Sequence, residues 1–220
     1  MTADYHPTPG FRGWLTQLDR VHRGGDGFAL IGGGLSGLLA GLFLFPLIQG
    51  QADFLLPYFR ELLLDQLPVW MIACFLILRL AFLLHSDGDY VHTMTASPFA
   101  LLTHALACIV ASLQAWGVFF LSTLLGWWVG IHTSSSAQYR PFFEAVMEFD
   151  RVAVVASALK MALLAALMAL SSWVELIWMD DSQRDHRQHD ASNALLRSVV
   201  LGASILFAIE MLALWLAYYR

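Results

Sequence analysis

Lys160 and Glu210 are the two ionisable side chains set deepest in apolar sequence, within AVVASALKMALLAALMAL and SILFAIEMLALWL. A charge held in hydrocarbon is costly, and it is usually paired or turned toward water. Lys160 follows the expected start of its span by about 12 Å of helix, and Glu210 precedes the end of its own by about 13 Å, at 1.5 Å per residue. Antiparallel neighbours would hold these opposite charges at one depth. The spacing therefore predicts an intramembrane ion pair, with a gating or lipid-headgroup site as the alternative.

Histidine and aspartate offer a second chemistry. The stretch MDDSQRDHRQHDASN concentrates Asp180, Asp181, Asp185, His186, His189 and Asp190. Such donors bind divalent metals only when geometry and outer-shell partners fix them, so a solvated loop is the simpler reading and no metal site is expected. Haem of the b type needs paired axial histidines inside the membrane. Only His104 lies well inside a span, with His132 at an end, which argues against intrinsic haem. The patterns G-x-x-x-x-G-K-[ST], G-x-S-x-G and H-E-x-x-H do not occur, so no enzyme chemistry is expected on this chain.

The elements that must position these residues follow from where charge is missing. Gly27–Ala52 and Tyr90–Tyr139 contain no Asp, Glu, Lys or Arg. About 20 apolar residues cross ~30 Å of hydrocarbon. The whole chain of 220 residues is 58% hydrophobic and 13% charged, about half the usual charged share. The expected fold class is therefore an all-α membrane protein. It comprises an N-terminal amphipathic interfacial segment over 1–25 and a domain of five transmembrane helices over 26–220. The spans are expected at about 28–48, 66–84, 99–130, 152–177 and 195–218. In the first segment Phe11, Trp14, Leu15, Leu18 and Val21 form an apolar stripe, opposed by Arg12, Gln17, Asp19, Arg20 and Arg23. Gly24-Gly25 should break that helix.

Within the first span Gly33, Gly37 and Gly41 share one helix face, where small residues let another backbone approach closely. Ordinary packing inside the chain is one use of that face. A subunit seam, or the wall of a lipid-sized cavity that also includes Phe43 and Phe45, is the other. Arg79 is expected to snorkel toward the interface. Cys74 and Cys108 sit in apolar runs and read as small core residues. The net charge of −5 excludes nucleic acid as a partner. The opening MTADYHPTPGFRGW does not read as a cleavable signal. An N-terminus in the cytoplasm puts Arg12, Arg20, Arg23, Arg79, Arg184, Arg187 and Arg197 inside, and Arg60, Arg140, Arg151 and Arg220 outside. That balance favours a cytoplasmic N-terminus and a C-terminus on the opposite side of the membrane.

The short polar link DGDYVHTMTASP, from Asp87 to Pro98, carries a pattern of its own: Asp89, Val91, Thr93, Met94 and Pro98. It resembles the cytoplasmic coupling segment of the MlaE/YrbE-type permeases, the membrane subunits of MCE-associated lipid ABC transporters, whose pattern runs D-A-L-x-T-M-G-x-D-P. Arg60-Glu61-Leu62 is similar to the family's R-E-L, and the glycine-rich first span is similar to its opening span. Arg197-Ser198-Val199-Val200 followed by Glu210 is similar to its R-x-V-V start and late acidic residue. The resemblance covers roughly 28–219. Departures are specific: Cys74-Phe75-Leu76-Ile77-Leu78-Arg79 stands where the family has G-R-S-G-S, E-I-G-T-M is missing, and Thr103-His104 replaces Pro-Arg.

The resemblance implies a divergent, non-catalytic permease in the bacterial inner membrane. It would pair with a second permease chain (itself or a paralogue), a cytoplasmic ABC ATPase and a periplasmic MCE protein, and would move phospholipid or a similar lipid. ATP and Mg would be bound by the ATPase, with no cofactor on this chain. Asp87, Asp89 and His92 would give polar contacts to the ATPase, Val91 and Met94 an apolar anchor, Thr93 would complete the pattern, and Pro98 would begin the third span. The other class is a structural or assembly subunit of a different membrane complex, without an ABC partner.

Overall fold

The computed structural model describes residues 11–44, 61–86, 90, 99–133, 151–178, 199–209, 211, 212 and 215. Every described element is helical. Hydrocarbon offers no water to backbone N–H and C=O groups, so a spanning chain satisfies them inside helices. In order, α1 is Phe11–His22, α2 Gly25–Leu39, α3 Leu67–Ser86, α4 Phe99–Thr133, α5 Arg151–Trp178 and α6 Val199–Ile209. Ala40–Leu44 extends α2 as a wider π-helical turn, and Glu61–Gln66 leads into α3 in the same form.

Four helical stretches are long and apolar enough to cross a membrane: Gly13–Phe43, Glu61–Leu84, Phe99–Thr133 and Val152–Val174. The chain is a membrane protein, and these stretches overlap four of the five expected spans. In the region of the fifth, α6 is a shorter apolar helix over its described residues. At 35 residues, α4 is about 52 Å long, well beyond the ~30 Å of hydrocarbon, so it tilts or protrudes.

Local sequence explains the breaks. Gly24 sits at φ +87°, a left-handed conformation that glycine adopts without penalty, and it separates α1 from α2 as expected. Pro68 lies in the first turn of α3 and has no N–H to donate. The π-helical turn just before it widens the ladder where the proline ring would crowd a carbonyl.

The chain packs as two compact units. The first comprises residues 1–23, 73–112 and 162–220; the second comprises 24–72 and 113–161.

Within the first unit, α1 turns Gln17 (5% exposed) and Val21 inward and leaves Leu15 (41% exposed) outward. Of the apolar stripe, Val21 is thus buried and Leu15 exposed, while Gln17 of the other face is buried. An apolar side chain facing lipid loses nothing by being outside, so hydrophobicity does not select the buried face as it does in water. Arg79 of α3 donates from Nε (2.9 Å) and from Nη2 (2.6 Å) to the Arg20 carbonyl. That carbonyl lies in the last turn of α1, where backbone acceptors have no partner within the helix. Arg79 is thus tied to α1 rather than merely extended toward the interface.

Within the second unit, α2 lies along α4 in the same direction. An added Cβ at Gly33 would meet the Phe119 carbonyl and Ser122 Oγ (2.7 Å). At Gly37 it would meet the Thr123 carbonyl and Trp127 N (2.7 Å), and at Gly41 the Trp127 carbonyl (2.6 Å). The partner helix answers in kind: a Cβ at Gly126 would meet the Gly34 carbonyl, and one at Gly130 the Leu38 carbonyl (2.7 Å). Two glycine faces therefore interlock, backbone against backbone. Beside them Ala40, Leu63, Leu64, Trp127 and Ile131 form a buried apolar cluster.

Candidate functional site

A buried polar cluster in the first unit is the site the structure builds most completely. The imidazole of His104, on α4, is fully buried. The Tyr90 hydroxyl lies 3.1 Å from its Nδ1 and 3.2 Å from its Nε2. Ser172 Oγ, on α5, is 3.3 Å from Nε2, and Cys108 Sγ, one turn along α4, is 3.6 Å from Nε2 and 3.8 Å from Nδ1. The Tyr90 and His104 rings meet edge to face at 78° with centroids 5.5 Å apart. Tyr90 is also fully buried. Every member of this group is therefore held by another, as buried polar groups require in a medium without water.

A small cavity of about 10 Å³, enough for the centre of one water, adjoins the cluster. It is lined by Ile77, Leu80, Ala81, Leu84, Met168, Ser171, Ser172 and Gly202. Ser172 belongs to both the cavity wall and the cluster.

A second set of polar contacts lies in the second unit. Lys160 Nζ donates to Gln66 Oε1 at 3.1 Å. One turn away, Ser157 Oγ donates to the Asp65 carbonyl at 3.1 Å and accepts from Trp116 Nε1 at 3.2 Å. Gln114 Nε2 donates to Asp26 Oδ2 at 3.3 Å. Lys160 is half-buried. Its expected partner, Glu210, lies outside the described residues.

The remaining sequence-predicted residues divide in two. Gly33, Gly37 and Gly41 are brought together, and the backbone of α4 occupies their face. The packing alternative within the chain thus accounts for all three, and no lipid-sized cavity is needed to explain them. Phe43 is exposed. Asp87, Asp89, Val91, His92, Thr93, Met94 and Pro98 of the link, together with Phe45, lie outside the described residues. No group of three or more His, Cys, Asp or Glu suited to a metal is found among the described residues.

Sequence reasoning singled out His104 as a histidine inside a span, but not its role. The signal missed was Tyr90, the one described residue of the link, together with the small hydroxyl of Ser172 on a distant helix.

Comparison with protein-family models, with curated proteins and with solved structures gives no match to this chain.

Proposed function

We propose that this membrane protein is a non-catalytic permease subunit of a lipid-transporting ABC system, handling phospholipid or a similar amphiphile. The observation that carries the reading is the link Asp87–Pro98, whose Asp89, Thr93, Met94 and Pro98 keep the register of an ATPase-coupling segment. Four long apolar helices and a glycine-rich first span are compatible with it. In this reading the N-terminus is cytoplasmic, α1 lies at the inner headgroup plane, a fifth span follows the fourth, and the chain sits in a bacterial inner membrane. Its partners are a second permease chain, a cytoplasmic ATPase and a periplasmic MCE protein.

ATP closes the ATPase dimer, and the link transfers that motion to the spans. Met94 supplies the apolar contact in the ATPase groove, so Met94→Asp should abolish lipid transfer while ATP hydrolysis by the complex persists. Unchanged transfer would remove Met94 from the coupling segment and take with it the main support for the reading.

One observation favours the second class, a non-transporting assembly subunit. The glycine face that would border a lipid cavity is closed by the chain's own α4. The two classes differ in whether an ATPase accompanies the chain.

A further inference from the structure

We propose that Gln66 and Lys160 form a binding site for a phosphate oxygen of an anionic phospholipid headgroup. Their contact fixes which way the amide faces. An ammonium only donates, so the atom that meets Lys160 Nζ at 3.1 Å is the amide oxygen Oε1. The amide nitrogen Nε2, with its two N–H groups, is then turned to the side, and it has no hydrogen-bond partner among the described residues. Lys160 spends one of its three N–H groups on Oε1. A cation and an amide donor therefore stand side by side, joined through one oxygen.

Their place in the fold decides what such donors meet. Gln66 closes the π-helical turn that leads into α3, and Lys160 lies on α5. With α4 crossing between them, α3 and α5 start at the same membrane face. Gln66 is about 8 Å along the apolar stretch that begins at Glu61, at 1.5 Å per residue. Lys160 is about 12 Å along the stretch that begins at Val152, and its side chain leans back toward the start of α5. Both residues are half-buried. Donors near a membrane face are met by the oxygens of lipid headgroups, and a cation among them selects an anionic phosphate. The donors are also held in advance. Ser157, buried one turn before Lys160, donates to the Asp65 carbonyl at 3.1 Å and accepts from Trp116 Nε1 at 3.2 Å, which fixes α5 against the turn. The inference needs only a chain in a membrane and stands apart from any ATPase.

The test uses the full chain in neutral detergent micelles, offered equal amounts of phosphatidylglycerol and phosphatidylcholine with matched acyl chains. Lipid retained on the protein is counted by native mass spectrometry. The wild-type chain should retain phosphatidylglycerol over phosphatidylcholine about three- to tenfold, the effect of one hydrogen bond within a membrane. Lys160→Met removes the cation and should abolish the preference. Gln66→Glu keeps an oxygen for Lys160, and so keeps the contact between the helices, but replaces the amide donors by a carboxylate that repels the lipid. It should abolish the preference as well. Lys160→Arg keeps the charge and should retain the preference, which separates loss of the site from loss of the fold.

Equal retention of the two lipids by the wild-type chain overturns the site. That is the outcome if a carboxylate, Asp65 beside Gln66 or the Glu210 that the sequence offers, already neutralises Lys160. A preference that survives either Lys160→Met or Gln66→Glu also overturns it, because the lipid is then held by other groups.

Discussion

Alanine at position 37 places a Cβ 2.7 Å from Trp127 N and closer still to the Thr123 carbonyl. Comfortable contact for carbon begins near ~3.5 Å, so α2 and α4 must part by about 0.8 Å or more at this point. A radial gap of that size forfeits about a quarter to a half of each dispersion contact along the seam. Gly33, Gly41, Gly126 and Gly130 share the seam and lose contact with it. Overpacking of this kind costs about 1–3 kcal/mol, while replacing a helical glycine returns at most ~1 kcal/mol. The net expectation is a destabilisation of about 1–2 kcal/mol. Gly34 is the internal control, because a Cβ there meets open space. Gly34→Ala should be neutral or slightly stabilising. The assay is reversible unfolding in mixed micelles with a rising fraction of dodecyl sulfate, monitored by tryptophan fluorescence. If Gly37→Ala unfolds at the same fraction as Gly34→Ala, the backbone-to-backbone seam is refuted.

Other residues give further expectations. Arg79→Leu removes both donors to the Arg20 carbonyl. It should cost about 1–3 kcal/mol and make α1 cleavable by protease in micelles, with Arg79→Lys intermediate. Gln17 is buried, and its Oε1 has no hydrogen-bond partner among the described residues. Gln17→Leu should therefore hold or raise stability by up to about 1 kcal/mol on the same unfolding curve. Lys160→Met and Gln66→Leu should couple by about 0.5–1.5 kcal/mol in a double-mutant cycle, since each side chain bonds the other; strict additivity would contradict that contact. In detergent a small maleimide should label exposed Cys74 well before buried Cys108, read by mass spectrometry of the peptides.

How much of this was legible in the sequence depends on what lipid makes visible. Uncharged run length located the long helices, because the cost of a charge in hydrocarbon is large and one-sided. Gly24 was legible as a break, because two adjacent glycines end a helix wherever they occur. The rotation of α1 was not. Gln17 is buried although it lies off the apolar stripe, and Leu15 is exposed, as an apolar side chain beside lipid can be without cost. The glycine face of α2 was legible as a site of close approach, yet its partner was not, since Gly126 and Gly130 lie some ninety residues further on. Depth predicted that Lys160 would need a polar neighbour. Gln66 fills that place from a helix end where one amide carries no distinctive signal. His104 stood out as a buried imidazole, but Tyr90 and Ser172 are common residues that acquire a role only when folding brings them to it.

The proposed function puts this membrane chain beside an ABC ATPase, coupled through the link Asp87–Pro98. The most direct test is to isolate the tagged chain from native membranes in mild detergent and identify its stoichiometric partners by mass spectrometry. The expected partners are a P-loop ATPase and an MCE protein, with a paralogous chain as well if the permease is a heterodimer. Recovery of the folded chain under several mild extractions with neither the ATPase nor the MCE protein would contradict it.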